Sequence, residues 1–83
     1  MDLNIKYEEN RIYIEDDNHK LLGEVTFPKV KDNIVDINHT FVDPSLRGQG
    51  IGSKLLDAAM EYIKNTGRTA IFTCPMAVNR FQK

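Results

Sequence analysis

Val42-Asp43-Pro44-Ser45-Leu46-Arg47-Gly48-Gln49-Gly50-Ile51-Gly52-Ser53-Lys54-Leu55-Leu56 is the stretch whose reading decides the fold. An alternating apolar run ends near Val42 and an amphipathic run continues to about Ile63, so the segment reads as a strand exit, a glycine-rich turn and a helix entry. Gly48, Gly50 and Gly52 remove Cβ atoms where backbone must approach a ligand closely. A turn that opens a helix aims unpaired N–H groups at whatever lies above it, and aligned peptide dipoles add partial positive charge at the same end. Phosphate or pyrophosphate is the natural guest of such an anion cradle, and Arg47 supplies a full charge beside it.

Several nucleotide-binding folds use a glycine-rich turn, so the flanking residues must choose among them. A Walker loop needs Gly-Lys followed by Ser or Thr, whereas Gly52 is followed by Ser53-Lys54 in the opposite order. The dinucleotide fingerprint needs Gly-x-Gly-x-x-Gly early in a βαβ unit, and here the spacing is Gly48-x-Gly50-x-Gly52. Neither fits.

The flanks predict an ordered series of elements. Asn4 to Glu8 and Arg11 to Glu15 alternate as a hairpin, with Ile5 and Tyr7, then Ile12 and Ile14, on one side. Asp16 to Lys20 is a polar turn containing a solvated His19, and Leu21 to Phe27 makes a third strand with Leu21, Gly23, Val25 and Phe27 on one face. Pro28 ends that strand or marks an edge. After a turn at Lys31-Asp32-Asn33, Ile34 to Val42 reads as one long fourth strand. The helix from about Gly50 to Asn65 carries Ile51, Leu55, Ala58, Ala59, Tyr62 and Ile63 as a stripe at helical spacing, with Gly67 as its stop. Thr69 to Cys74 is a fifth strand, expected parallel to the fourth through a right-handed crossover, and Met76 to Lys83 a short final helix. The fold class is α/β (α+β), a mixed and mainly antiparallel sheet.

Residues 1–83 read as one small domain, near the lower size at which a core is self-sufficient, so a homodimer would add stability. A net charge of -1 and a pI near 6.1 argue against nucleic acid, which needs a dense basic face. The lone cysteine excludes an internal disulfide and suits a reducing cytosol. No apolar run approaches the roughly 20 residues of a spanning helix, and no signal-peptide core is present at the N-terminus. The expectation is a cytoplasmic protein without a membrane partner.

Arg47-x-x-Gly50-x-Gly52, after a strand and opening a helix, resembles the acyl-CoA pyrophosphate loop of the GNAT superfamily of N-acetyltransferases. The stretch from Val42 to Leu56 is similar to that loop with its strand exit and helix entry, over about a fifth of the chain. The short chain and Cys74-Pro75 narrow the resemblance to the small GNAT group described by a characteristic Cys and Gly. The resemblance implies acetyl-CoA as cofactor, with the pantetheine arm between splayed fourth and fifth strands. It also implies pantetheine contacts from the backbone near Phe41 and Val42, which would help polarise the thioester carbonyl. The expected cofactor-binding set is therefore Phe41, Val42, Arg47, Gly48, Gln49, Gly50, Ile51, Gly52, Ser53 and Lys54. Lys54 has an equally good reading as a solvated helix residue.

Many GNAT enzymes use a tyrosine in the last helix as acid; here Phe81 stands where one would be expected, and the acceptor side is much reduced. His39 and Cys74 are the candidate catalytic residues. On neighbouring parallel strands, offset by two residues, they would lie roughly 6 to 9 Å apart, bridgeable by a substrate atom or water. A histidine titrating near neutral pH can take the amine proton. Cys74 can protonate the departing thiolate, or accept the acetyl group itself in a two-step transfer. Structural roles stay open for both: His39 shares a face with Val35, Ile37 and Phe41 on alternation alone, and a buried cysteine packs well. Tyr62 reads as core, and Asp36 and Asp43 as turn or surface carboxylates.

The expected function is transfer of an acetyl group from acetyl-CoA to a primary amine on a small molecule, peptide or protein lysine. An exposed amine on a peptide or protein is mildly favoured, because so short a chain carries no large lid, although a dimer could build the missing wall. A domain that binds acyl-CoA without turnover is the first alternative, and a nucleotide-binding or purely structural interaction domain the second.

Overall fold

The computed structural model describes residues 4–81. The expected hairpin is β1 (Lys6–Glu8) with β2 (Arg11–Glu15), and β3 (Leu21–Thr26) pairs antiparallel to β2. Ile12 and Ile14 are buried on one face of β2, and Gly23, Val25 and Phe27 share that face. Beyond Pro28 the chain resumes as β4 (Lys29–Lys31), a strand the sequence pattern does not predict, because three residues after a proline carry too little alternation. A turn at Asp32-Asn33, with Asn33 at φ 60°, leads back along the same hairpin.

The long fourth strand expected over Ile34–Val42 is two strands, β5 (Ile34–Ile37) and β6 (His39–Val42), broken at Asn38. The opposite arm breaks at the same level. Proline has no N–H to extend a ladder, so the rung Pro28 would donate on the β5/β6 side is missing, while on the β2 side the Phe27 N–H continues the ladder to the Asn10 carbonyl at 2.9 Å. Asn38 closes the gap: its N–H donates to the Thr26 carbonyl at 3.2 Å, and its side-chain oxygen accepts from the Thr26 hydroxyl at 2.6 Å. Below the break β5 pairs with β4 and runs parallel to β7 (Thr69–Phe72); above it β6 pairs with β3. The strand orders are β1-β2-β3-β6 and β4-β5-β7.

One extra residue in a strand reverses which side chains face inward. Val35 and Ile37 are buried, but on β6 the residues opposite Gly23 and Val25 are Val42 and Thr40, so the even positions face the core there. His39 and Phe41 lie on the other face, opposite Thr26 and Glu24. The expectation that His39 shares a face with Val35 and Ile37 is therefore corrected.

Helix α1 (Ile51–Asn65) lays Ile51, Leu55, Leu56, Ala59 and Ile63 against the inner face, with Ala58 and Tyr62 half-buried at the margin. Tyr62 packs edge-on to Phe27 at 6.1 Å and on Tyr7 at 5.1 Å, a packing role. At the other end of α1 the Arg68 N–H bonds the Ile63 carbonyl and the Gly67 N–H bonds that of Lys64, both at 3.0 Å. This is a Schellman cap with Gly67 at φ 76°. A Cβ at Gly67 would meet no atom within 4 Å, so Gly67→Ala carries only a conformational penalty. Urea denaturation is expected to show a loss of about 1 kcal/mol, and an unchanged midpoint would contradict the cap. The parallel ladder stops at Ile37 and Phe72, short of the expected Cys74, because the Ile37 carbonyl takes the N–H groups of both Thr73 and Cys74 at 3.2 and 3.1 Å. Helix α2 (Pro75–Phe81) follows, its Phe81 stacked on Phe72 at 5.3 Å; the expected continuation through residues 82–83 lies outside the described residues. No described helix is long and apolar enough to cross a membrane.

Candidate functional site

The break at Asn38 leaves β6 paired on one side only, and the gap between β6 and the chain after β7 is the inner end of a cleft of about 520 Å³. Thr40, Phe41 and Val42 form one wall, the turn and first helical turn from Leu46 to Ser53 form the mouth, and Met76 of α2 forms the far side. Antiparallel pairs alternate between those that exchange hydrogen bonds and those that do not. The Asp43 N–H donates to the Leu22 carbonyl at 2.8 Å, so the Phe41 main chain points at β3, while the polar main-chain groups of Thr40 and Val42 turn toward the cleft. The Val42 carbonyl indeed accepts from Arg47 Nε at 3.3 Å.

Asp43, the only buried charged residue among those described, shapes the turn. Its carboxylate accepts from the Ser45 hydroxyl at 2.5 Å and the Ser45 N–H at 3.0 Å, and Lys20 Nζ lies 3.7 Å away. The Ser45 bonds, foremost, hold the Asp43 carboxyl below its usual range. The capped segment is one turn of 3-10 helix over Pro44–Leu46 with Leu46 buried beneath it. That fixes the direction in which Arg47 leaves, and the Arg47 N–H donates to the Pro44 carbonyl at 3.3 Å.

Hydrogen bonding within the chain then lapses. It resumes where the Lys54 N–H meets the Gly50 carbonyl at 3.1 Å, and among the described residues the N–H groups of 48 to 53 find no acceptor. The glycines divide the work of exposing them. Gly48 (φ 84°) and Gly50 (φ 72°) hold left-handed conformations with nothing within 4 Å of a notional Cβ, so they are there for backbone shape. Gly52 is there for space: a Cβ would lie 3.1 Å from Met76 Sδ and 3.4 Å from Val42 Cγ2.

Of the expected cofactor-binding residues, Phe41, Val42, Arg47, Gly48, Gly50, Ile51, Gly52 and Ser53 line the cleft; Gln49 and Lys54 do not, and both are exposed. Thr40, Leu46 and Met76 line it as well and were not expected. Thr40 comes inward only through the break at Asn38, and Leu46 and Met76 depend on how the turn and α2 pack, which no local pattern carries.

Cys74 lies just behind the inner end, 6% exposed. Its Sγ is 3.5 Å from Thr40 Oγ1, and the neighbouring N–H groups of Ala77, Met76 and Thr40 favour its ionised form. Burial pushes the thiol up, but the Thr40 hydroxyl and these N–H groups outweigh it, so the thiol sits below its ordinary value. His39 is exposed on the opposite sheet face and makes no hydrogen bond to Cys74. Asp36 accepts both of its oxygens' bonds from the Thr73 hydroxyl at 3.0 and 2.9 Å, a cross-strand tie. Among the described residues there is no group of His, Cys, Asp and Glu suited to hold a metal ion.

The family model of GCN5-related N-acetyl-transferases matches residues 11–83 of this chain. A GCN5-like protein of Staphylococcus aureus, solved in solution and assigned as an N-acetyltransferase, is 39% identical with a TM-score of 0.76, over 96% of this chain and 78% of that one. An acetyltransferase structure from Agrobacterium tumefaciens shares the fold at 24% identity and a TM-score of 0.68, over 96% of this chain and 58% of its own. An uncharacterized N-acetyltransferase of Methanocaldococcus jannaschii is 44% identical over 41 residues, which are 49% of this chain and 18% of that protein, so this chain spans only a small part of that relative's length. A split strand, an unpaired row of main-chain donors at a helix entry and a family match over nearly the whole chain agree: this chain belongs to the GCN5-related N-acetyltransferase family.

Proposed function

We propose that this chain binds acetyl-CoA in the cleft and transfers the acetyl group to a primary amine. The observation that carries the reading is the row of unsatisfied N–H groups from 48 to 53 at the mouth of a cleft whose inner end is Thr40, with Cys74 behind it. A diphosphate fits that row, since the N–H groups have no acceptor within the described chain, a helix entry favours negative charge, and Gly52 leaves the approach open. Arg47 adds charge at the rim, and Lys54 and Gln49 stand outside as solvated neighbours. The Thr40 carbonyl and the Val42 N–H, on the side of β6 that does not pair with β3, can bond the amides of a pantetheine arm laid along β6. When bound, the cofactor supplies the acetyl group as a thioester and leaves as a thiolate.

The chain's own residues have proton transfers to carry out. The acceptor nitrogen must lose a proton, and His39, exposed just past the break, can take it at its imidazole and release it to solvent. The departing sulfur must gain a proton, and Cys74 can give up its own and then recover one from solvent as the N–H groups around Sγ hold the thiolate. Among the described residues no wall encloses the His39 face, so an amine projecting from a peptide or protein is the favoured acceptor.

Calorimetry with coenzyme A should give a binding isotherm, and a lysine peptide should release coenzyme A thiol faster than hydrolysis does. No heat with coenzyme A would overturn the assignment. Heat without acceptor-dependent release would select a second reading, binding without turnover, which the burial of Cys74 behind Thr40 favours.

A further inference from the structure

Thr40 touches the sulfur of Cys74 across the very gap where β6 and the chain after β7 cease to pair. Its position follows from the extra residue at Asn38. Had alternation run unbroken from Val35 and Ile37, His39 would face inward; the break turns His39 out and sets a hydroxyl opposite the sulfur instead. Thr40 also lines the ligand cleft, which Cys74 does not, so it stands between the sulfur and whatever the cleft holds.

The groups around Sγ are not equivalent. The N–H groups of Thr40, Met76 and Ala77 can only donate, so they favour a thiolate over an S–H, whose sulfur is a weak acceptor, and cannot take the thiol proton. A hydroxyl has one donor and two acceptor lone pairs. The Thr40 oxygen accepts from the thiol at 3.5 Å as the structure stands, and rotation of the same hydroxyl would let it donate to the sulfur once the proton has left. We propose that Thr40 is the positioning residue of Cys74, its hydroxyl bonding the sulfur in both protonation states and holding it at the inner end of the cleft while a proton is exchanged. The proposal rests on the reading of Cys74 as a proton-exchanging group, but it can be tested without turnover.

The chain has one cysteine, so the ultraviolet absorbance of its thiolate reports Cys74 alone. Titrating wild type, Thr40→Val and Thr40→Ser by that signal should move the midpoint to higher pH in the valine variant and leave it in place in the serine variant. Alkylation of Cys74 at neutral pH should fall on the order of tenfold in Thr40→Val and recover in Thr40→Ser. A role in packing alone would change the melting temperature of Thr40→Val and leave its titration midpoint at the wild-type value, which would overturn the proposal. Thr40→Ala serves the same comparison if the valine variant does not fold, with the same outcomes on either side. Should wild type fail to release coenzyme A thiol to any acceptor while the Thr40 variants still shift the titration, the acetyl-transfer reading falls and the positioning of Cys74 by Thr40 stands.

Discussion

Cys74→Ala is expected to lower kcat for acetyl transfer by roughly 10²- to 10³-fold while leaving the affinity for coenzyme A within about twofold, since a positioned acid or base contributes on that scale. The split follows from placement. The donors expected to hold the diphosphate are main-chain groups of residues 48 to 53, and none of them touches Cys74, whose partners are Thr40, Met76 and Ala77. Removing one sulfur atom at a 6% exposed site leaves a small void, at a stability cost on the order of 1 kcal/mol, so the variant should fold. Cys74→Ser keeps the volume and a hydrogen-bonding group but replaces a thiol by a hydroxyl that ionises far less readily. It should therefore lose nearly as much turnover as the alanine variant. Single-turnover measurements at saturating acetyl-CoA decide the matter. Turnover within twofold of wild type in both variants would leave Cys74 a packing residue that caps α2.

The parts of the fold legible in the sequence are those governed by local period and punctuation. Ile12 and Ile14, Val25 and Phe27, and the stripe from Ile51 to Ile63 follow from alternation or helical spacing, and Gly67 marks its helix end through the left-handed conformation that glycine adopts without steric cost. The candidate cradle was legible for the same reason, because three spaced glycines beside an arginine have few other uses. The break at Asn38 was not. A one-residue bulge preserves composition and β propensity on both sides, and it lies opposite Pro28 of the partner strand, which has no N–H to continue the ladder. The error then propagates. With the phase unbroken, His39 lies inward and Thr40 outward; with it broken, they exchange faces, and the candidate site acquires a hydroxyl where an imidazole was expected. Met76 was missed because its distance to Gly52 depends on how α2 folds back over the start of α1.

Gly52→Leu is expected to weaken coenzyme A binding by roughly 10²- to 10⁴-fold, the loss that follows from forfeiting about two charge-assisted hydrogen bonds to phosphate. Gly48 and Gly50 would not give so clean a result, because a side chain at φ 84° or 72° strains the backbone and confounds stability with binding. Gly52 carries no such strain: it lies in the first turn of α1, where leucine is a better helix former than glycine. Its Cβ would crowd Met76 Sδ at 3.1 Å and Val42 Cγ2 at 3.4 Å. The thioether belongs to a flexible side chain that is 44% exposed and can swing aside, so folding tolerates the change. A diphosphate cannot make the same accommodation. The leucine branches would project into the cleft mouth, where the N–H groups of Ile51, Gly52 and Ser53 await an acceptor, and would hold an anion beyond hydrogen-bonding distance of them. Gly52→Ala provides the graded control, with a smaller loss because one methyl group can share the space that Met76 vacates. Calorimetric titration of both variants, with circular dichroism to confirm the fold, gives the answer. If Gly52→Leu bound coenzyme A within threefold of wild type, the diphosphate would have to lie elsewhere, and the cleft would lose its claim to the cofactor however well its other walls suited one.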